Sequence, residues 1–235
     1  MIPLLSIFKF LSFIFSTIIT LKLRQSSKKN PKDEVIYAFY RFFFYFSFSL
    51  FFFSIPPLKP DLKLVQIYLY LANFFTLLMT AYFAEVVLIF TYFRKIKNIL
   101  FWSIITMAFG EIILDVIYFQ PALTLTYNFG NFNFIGWTLN LPIWLMVFHG
   151  MMAIFFITLG FILFLIKGLT QPAGYLKIRS FLLAIGFFIV IFAPIGFYFF
   201  GYLTPLSFWK DLIHGGSTLV SLFFLTAGIY YKKES

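Results

Sequence analysis

Seven long runs of apolar residues, separated by short polar gaps, make up almost the whole chain. A helix needs about 20 apolar residues to cross the roughly 30 Å of hydrocarbon in a bilayer, and each run is long enough. The gaps contain turn and helix-ending residues, so neighbouring helices run antiparallel. The pattern predicts an all-α membrane protein, a single seven-helix transmembrane domain over residues 1–235. The predicted spans are about 2–22, 35–56, 64–93, 99–119, 142–166, 177–200 and 210–230.

The first run lies where a secretory signal peptide would lie. Its basic residues, such as Lys22 and Arg24, follow the apolar stretch instead of preceding it, and no A-x-A-like cleavage site is present. We therefore expect the first run to be retained as a helix.

Composition supports a membrane protein, because 62% of the residues are hydrophobic and only 11% are charged. A soluble domain has roughly a quarter of its residues charged. The net charge of +10 does not indicate nucleic-acid binding, since Lys and Arg lie in the gaps rather than on one folded face. We expect the basic residues to meet anionic lipid headgroups. The absence of Cys excludes disulfides and thiolate metal sites.

Lys and Arg are distributed unequally between the two sides of the predicted bundle. Thirteen lie in gaps one, three and five or in the tail, against three in the other gaps. This bias predicts an N-terminus outside and a C-terminus in the cytoplasm, with the plasma membrane as the expected location. The thirteen are Lys22, Arg24, Lys28, Lys29, Lys32, Arg94, Lys95, Lys97, Lys167, Lys177, Arg179, Lys232 and Lys233; the three are Lys59, Lys63 and Lys210.

The scarce acids and histidines of the spans share one depth. Glu111 and Asp115 are four residues apart on span four, so they lie on one helix face. At about 1.5 Å per residue they lie roughly 6–12 Å below the outer end, and His149 and His214 lie at a similar depth on spans five and seven. Asp211 stands one turn nearer the outside. We predict an outward-facing pocket of these five residues that binds a small ligand or responds to protons.

Two other interpretations of these residues remain. Each side chain could simply hydrogen-bond a neighbouring helix. His149 and His214 could instead hold a divalent metal or, as a pair, a haem. Since the chain has no H-E-x-x-H or similar doublet of ligands, we expect no cofactor.

Other polar positions have structural expectations. Arg41 and Glu85 are predicted to form an intramembrane ion pair, and Lys9 needs a partner or a wet cavity. Pro194 predicts a kink in span six. The loop 120–141 alternates aromatic residues with Asn, which indicates an aromatic segment at the membrane interface or a lid over a ligand.

Three features of the chain are shared with a known class of membrane input region. A basic first gap leads into a strongly aromatic second span. Span three closes on F-A-E (83–85) and F-T-Y (90–92), and Y-L-K-I-R-S (175–180) enters span six before L-L-A-I-G (182–186). In these features the chain resembles the seven-helix input regions at the N-termini of prokaryotic sensor histidine kinases. The resemblance implies a sensory bundle whose outer pocket binds a small ligand and whose inner end drives an effector.

We therefore expect a multi-pass sensor or receptor-like protein. The chain ends at Ser235, soon after the last span, so we expect its signal to leave through a separate protein partner on the cytoplasmic face. A small-solute, ion or proton transporter is the alternative, and it needs polar groups continuing from the outer pocket to Glu85. A non-catalytic subunit of a membrane complex is a third class. We do not expect an enzyme, because no catalytic triad or phosphate-binding Gly loop is present.

Overall fold

The computed structural model describes residues 1–56, 61–89, 97–196 and 207–231. Within these residues it contains eight helices and a two-stranded hairpin between the fourth and fifth helices. The helices are α1 (Leu4–Lys29), α2 (Glu34–Ser54), α3 (Leu62–Ile89), α4 (Lys97–Ile117), α5 (Ile143–Thr170), α6 (Tyr175–Val190), the short α7 (Phe192–Pro194) and α8 (Ser207–Tyr230); the strands are β1 (Leu123–Phe129) and β2 (Phe132–Thr138).

Seven helical stretches are long and apolar enough to cross a membrane, with α6 and α7 counted together as Tyr175–Pro194. This confirms the multi-pass membrane protein that the hydrophobic pattern predicts. The predicted ends of spans three and six, 90–93 and 197–200, lie outside the described residues. So do five of the cations counted for the orientation, which are Lys59, Arg94, Lys95, Lys232 and Lys233.

Local chemistry explains two of the helix boundaries. Helix α2 begins at Glu34 because the Asp33 side chain accepts hydrogen bonds from the backbone N–H groups of Val35 and Ile36, both at 3.0 Å. Helix α6 ends before Pro194, which has no N–H group to continue the helical hydrogen bonds. The helix assignment is interrupted at Ile191, three residues before Pro194, while the backbone of Ile191 keeps helical dihedral angles. The kink at Pro194 stays a prediction.

The helices form a bundle in which α4 is peripheral. Helices α1 to α4 pack in chain order, α5 packs against α3 and α6, and α8 lies between α6 and α1. Helix α4 packs mainly on α3, and most of its surface faces away from the protein. It nevertheless buries Glu111 and Asp115, so its polar face is directed toward the interior.

Phenylalanine fills the middle of the bundle between α2, α3, α5 and α6. The rings of Phe42, Phe83, Phe187 and Phe164 follow one another with centroid distances of 5.4, 4.5 and 5.6 Å. The Phe83 ring lies directly on Gly160, where a Cβ atom would collide with it. We call these four rings the phenylalanine layer.

The segment between α4 and α5 is a β-hairpin, with Leu123 of β1 paired to Thr138 of β2. Its two-residue turn is Gly130-Asn131, and Gly130 has a φ of +58°, which glycine adopts without a Cβ penalty. We expected an interfacial aromatic segment or a lid in 120–141 and did not predict strands. The period-two alternation L-T-L-T-Y before the turn is the signal that indicates them. Within the described residues, the hairpin is the departure from an all-α description.

The two ends of the bundle differ in what they carry. The N-terminus is attached to the hairpin, since Ile2 N donates to Asn133 O at 2.8 Å and Ile135 N donates to Ile2 O at 3.1 Å. At the opposite end, Arg179 Nε donates to the Gly228 carbonyl at 3.0 Å, and the basic final turns of α1 lie at this same end. We call the two the hairpin end and the basic end.

Candidate functional site: two buried polar clusters

Buried polar side chains gather at the hairpin end, but the five residues predicted to share one pocket fall into two clusters. Glu111, Asp115 and His149 lie in one cluster, between α3, α4 and α5. Asp211 and His214 lie in the other, between α1, α8 and the hairpin. All five are at most 5% exposed. Depth along a helix was the basis of the predicted pocket, and depth does not determine which neighbours a side chain meets.

The first cluster is built around His149, which is 1% exposed. Its Nε2 atom lies 3.2 Å from Glu111 Oε2, and its Nδ1 atom is hydrogen-bonded to the Asn73 amide nitrogen. With the amide nitrogen as donor, Nδ1 accepts, so the proton of a neutral ring lies on Nε2, the nitrogen nearest to Glu111. We call Asn73, Glu111, Asp115 and His149 the acid–imidazole cluster.

Asp115 extends this cluster toward the hairpin end. It lies one turn along α4 from Glu111, is 2% exposed, and is near enough to interact electrostatically with both Glu111 and Tyr70. Tyr70 also lies beside Gln66, whose Oε1 atom accepts from the backbone N–H of Asn140 at 3.3 Å. Polar side chains therefore connect the cluster to the residues that follow strand β2.

The second cluster joins α1 to α8. Lys9 Nζ donates to Thr218 Oγ1 at 2.9 Å and lies 5.5 Å from the centroid of the Phe53 ring. The His214 ring meets the same Phe53 ring edge to face, with centroids 5.5 Å apart. Lys9 and Lys210 are both close enough to act electrostatically on His214. We call Lys9, Lys210, Asp211, His214 and Thr218 the lysine cluster.

Asp211 attaches the hairpin to this cluster. Its Oδ2 atom accepts from the Tyr127 hydroxyl at 2.6 Å, and its Oδ1 atom lies 3.5 Å from Lys210 Nζ. The carboxylate sits over Gly136, where a Cβ atom would come within 2.9 Å of Oδ2. Burial, and then the adjacent Asp211 carboxylate, raise the pKa of Tyr127 well above its usual range. The sequence placed Asp211 at a pocket mouth, whereas the structure buries it completely as an anchor for the hairpin.

Two small cavities follow one another along the bundle axis below the lysine cluster. The upper one, of about 60 Å³, is lined on its polar side by Lys9, His214, Thr218, Thr76 and Ser49. The lower one, of about 30 Å³, shares several apolar residues with it and is lined by three members of the phenylalanine layer. The lining therefore becomes less polar from the upper cavity to the lower one.

The predicted pair of Arg41 and Glu85 is brought together on the basic side of the bundle. Arg41 Nη2 lies 3.1 Å from Glu85 Oε1. The guanidinium also lies over the rings of Tyr37 and Tyr82, at 4.4 and 5.0 Å from their centroids. The pair links α2 to α3 and belongs to neither polar cluster.

Several residues of the site were missed from the sequence. Gln66, Tyr70 and Asn73 recur at helical spacing on α3, and their polarity within an apolar span was an available signal. Thr218 and Tyr127 carried no such signal, because their importance depends on Lys9 and Asp211, which are distant in sequence.

The two histidines meet different neighbours, His149 in the acid–imidazole cluster and His214 in the lysine cluster. In the described part of the chain, no three His, Asp or Glu side chains lie close enough to hold a metal ion together. In comparisons with known proteins, no family model matches the chain and no curated protein matches it.

Proposed function

We propose that this protein is a membrane sensor of the receptor type, which detects a proton or a small ligand at the hairpin end and signals at the basic end. The observation that carries the proposal is the contact between Glu111 and His149, two titratable side chains at 3.2 Å that are each at most 3% exposed. Ionisable groups inside a membrane bundle are expensive and are commonly functional.

The composition of the acid–imidazole cluster suits such an input. Two carboxyl groups one turn apart and one imidazole can be neutral, singly charged or doubly charged, depending on how many protons they share. In a medium of low dielectric constant each change of charge alters the electrostatic energy strongly. Adding a proton or a small cationic group would therefore change how α4 is held against α3 and α5.

The hairpin is the element that would respond first. The backbone N–H of Asn140, two residues after β2, donates to Gln66 of α3, and the Ala122 N–H, directly before β1, donates to the Leu62 carbonyl at 3.1 Å. Tyr127 attaches the same hairpin to Asp211 of α8. A shift of α3 relative to α4 would therefore be passed to α8 through the hairpin.

Charge distribution supports the direction of the signal. In the proposal the basic end faces the cytoplasm, as the positive-inside rule indicates, and meets lipid headgroups and an effector protein there. The similarity of segments 83–85 and 175–186 to the seven-helix input regions of sensor histidine kinases agrees with this direction.

A transporter is the second candidate, and the two cavities in series favour it. They lead from Lys9 toward Glu85, which is the path that ion or proton movement would need. The phenylalanine layer lies between the cavities and Glu85, and it interrupts a polar path with close-packed rings. A sensor needs no such path, so this feature supports the sensor over the transporter.

Intrinsic fluorescence tests the proposed input. Three tryptophans lie at the hairpin end. Trp137 is on β2, and Trp144 and Trp209 are in the first turns of α5 and α8. We expect the emission of the protein in nanodiscs to change between about pH 5 and pH 8, the range in which histidine commonly titrates. Glu111→Gln should abolish the change, whereas the control Glu34→Gln, exposed at the basic end, should retain it. An unchanged pH response in Glu111→Gln would contradict the site assignment.

Flux measurements separate the two candidates. Liposomes that contain the wild-type protein should show no more proton or cation flux than empty liposomes. Flux that is saturable and lost in Glu111→Gln would favour the transporter and reject the sensor.

A further inference from the structure

Lys9 is a buried cation that lacks a carboxylate partner in the described part of the chain. It is 3% exposed, and the contacts of its Nζ atom are the Thr218 hydroxyl at 2.9 Å and the Phe53 ring face. The other buried lysine of the cluster, Lys210, lies 3.5 Å from Asp211. The two lysines thus share a cluster but not a counter-ion.

Thr218 holds the Lys9 ammonium group in place. Its hydroxyl donates to the His214 carbonyl at 2.7 Å, so the hydroxyl oxygen is left to accept from Lys9 Nζ. The Phe53 ring contacts both the Lys9 ammonium and the His214 ring. Two N–H bonds of Lys9 are therefore left for other partners, and Lys9 and Thr218 both line the same cavity.

The cavity next to Lys9 has the size and lining of a small ligand site. Its volume is about 60 Å³, and one water needs roughly 10–15 Å³, so it accommodates a monatomic ion or a one-carbon acid. Lys9 and His214 supply N–H groups to the lining. The hydroxyls of Ser49, Thr76 and Thr218 also line it, but Ser49 is bonded to Thr76, and Thr76 and Thr218 donate to backbone carbonyls. The other lining residues are apolar. Among the residues that the structure describes, the lining has N–H donors, one of them cationic, and no carboxylate, and such a lining selects for negative charge.

We infer that this cavity binds a small monovalent anion, such as chloride or formate, with Lys9 as its counter-charge and His214 as a second donor. Burying an ammonium group without an opposite charge is costly, and an anion in the cavity compensates it where no side chain does. The small volume excludes larger organic anions. This site is separate from the acid–imidazole cluster and does not depend on the proposed sensor function.

Thermal unfolding at constant ionic strength tests the anion site. In nanodiscs of zwitterionic lipid, replacing gluconate by chloride or formate should raise the midpoint temperature in a saturable way, because the six-carbon gluconate ion does not fit. Lys9→Met should remove the saturable rise or weaken the apparent affinity by at least about tenfold. The matched control is Lys22→Met on the same helix, since Lys22 is exposed and lies over Tyr230 at the basic end.

Two results would overturn the inference. One is an equal chloride response in wild type and Lys9→Met, and the other is a response to gluconate as large as that to chloride. If Lys9→Met does not fold, the chloride NMR signal measured with wild-type protein alone tests the site. Broadening of the chloride line by the protein that formate reverses and gluconate does not reverse supports the site. An absence of broadening contradicts it.

Discussion

The acid–imidazole cluster and the lysine cluster lie at the same end of the bundle but have opposite charge character. The first combines two carboxyl groups on the peripheral helix α4 with His149 on α5. The second combines two ammonium groups with one carboxylate between α1 and α8. Similar depth in a membrane therefore does not imply one binding site. The hairpin is bonded to Asp211 of the lysine cluster through Tyr127, and the residues at its base are bonded to α3, the helix that carries Asn73 of the acid–imidazole cluster.

The largest effect on stability is expected from His149→Ala. The change leaves the Asn73 amide and the Glu111 carboxyl buried without their shared partner and opens a small cavity, which together cost about 3 kcal/mol. His149→Gln retains a donor near the former Nε2 position and should lose less. The free energy of unfolding in detergent, measured by chemical denaturation, compares the two. A loss below about 1 kcal/mol in His149→Ala would show that the cluster is not a tightly coupled unit.

The change in the free energy of unfolding is expected to have the opposite sign for Lys9→Met in the lysine cluster. With gluconate as the anion, replacing an unneutralised buried charge by an apolar side chain of similar length should stabilise the fold by about 1–2 kcal/mol. The same denaturation assay measures it, with Lys22→Met as the exposed control. Destabilisation comparable to that of His149→Ala would remove the contrast between the clusters.

A change in unfolding free energy of similar size but opposite sign is expected for Tyr127→Phe, which removes the hydroxyl group that donates to Asp211. We expect a loss of about 1–2 kcal/mol near neutral pH, because the hydrogen bond is made to a charged acceptor. Tyr118→Phe, at an exposed tyrosine, is the control.

The same variant has a pH signature whose sign follows from the raised pKa of Tyr127. The fold favours the neutral phenol, so its contribution is fully present below the unfolded pKa of about 10 and is lost as pH rises beyond it. Unfolding free energies measured across alkaline pH should fall less steeply in Tyr127→Phe than in wild type. Parallel slopes would contradict a buried contact between Tyr127 and Asp211.

The smallest effect on the free energy of unfolding is expected for the ion pair between Arg41 and Glu85 on the basic side. Glu85→Gln removes the carboxylate that lies 3.1 Å from Arg41, whose side chain is 29% exposed. The substituted amide still offers Arg41 a hydrogen-bond acceptor, and the guanidinium keeps its contacts with the rings of Tyr37 and Tyr82, so we expect a loss of at most about 1 kcal/mol. A loss as large as that of His149→Ala would show that the basic side is as tightly coupled as the hairpin end.

The sequence predicts the seven spans well because hydrocarbon imposes length and polarity on each helix separately. It also supports the approach of Arg41 and Glu85, since two charges at one depth on adjacent antiparallel helices have few other partners. It does not predict how α5 and α8 are rotated in the bundle, and their orientation separates His149 from His214. The alternation of aromatic residues with Asn in the loop 120–141 favours an interfacial segment or a lid, whereas the period-two alternation of L-T-L-T-Y, which indicates a strand, did not enter that prediction.

The central claim is that a charge change at Glu111 and His149 alters the basic end, and one proteoliposome measurement tests it directly. The chain has no Cys, so Gln25→Cys places a single environment-sensitive label at the basic end, and Asn131→Cys reports sidedness through an impermeant reagent. With the pH at the basic end clamped, changing the pH at the hairpin end should alter the signal at position 25, and adding Glu111→Gln should abolish that response. A silent label, or an equal response with Glu111→Gln, would contradict the account.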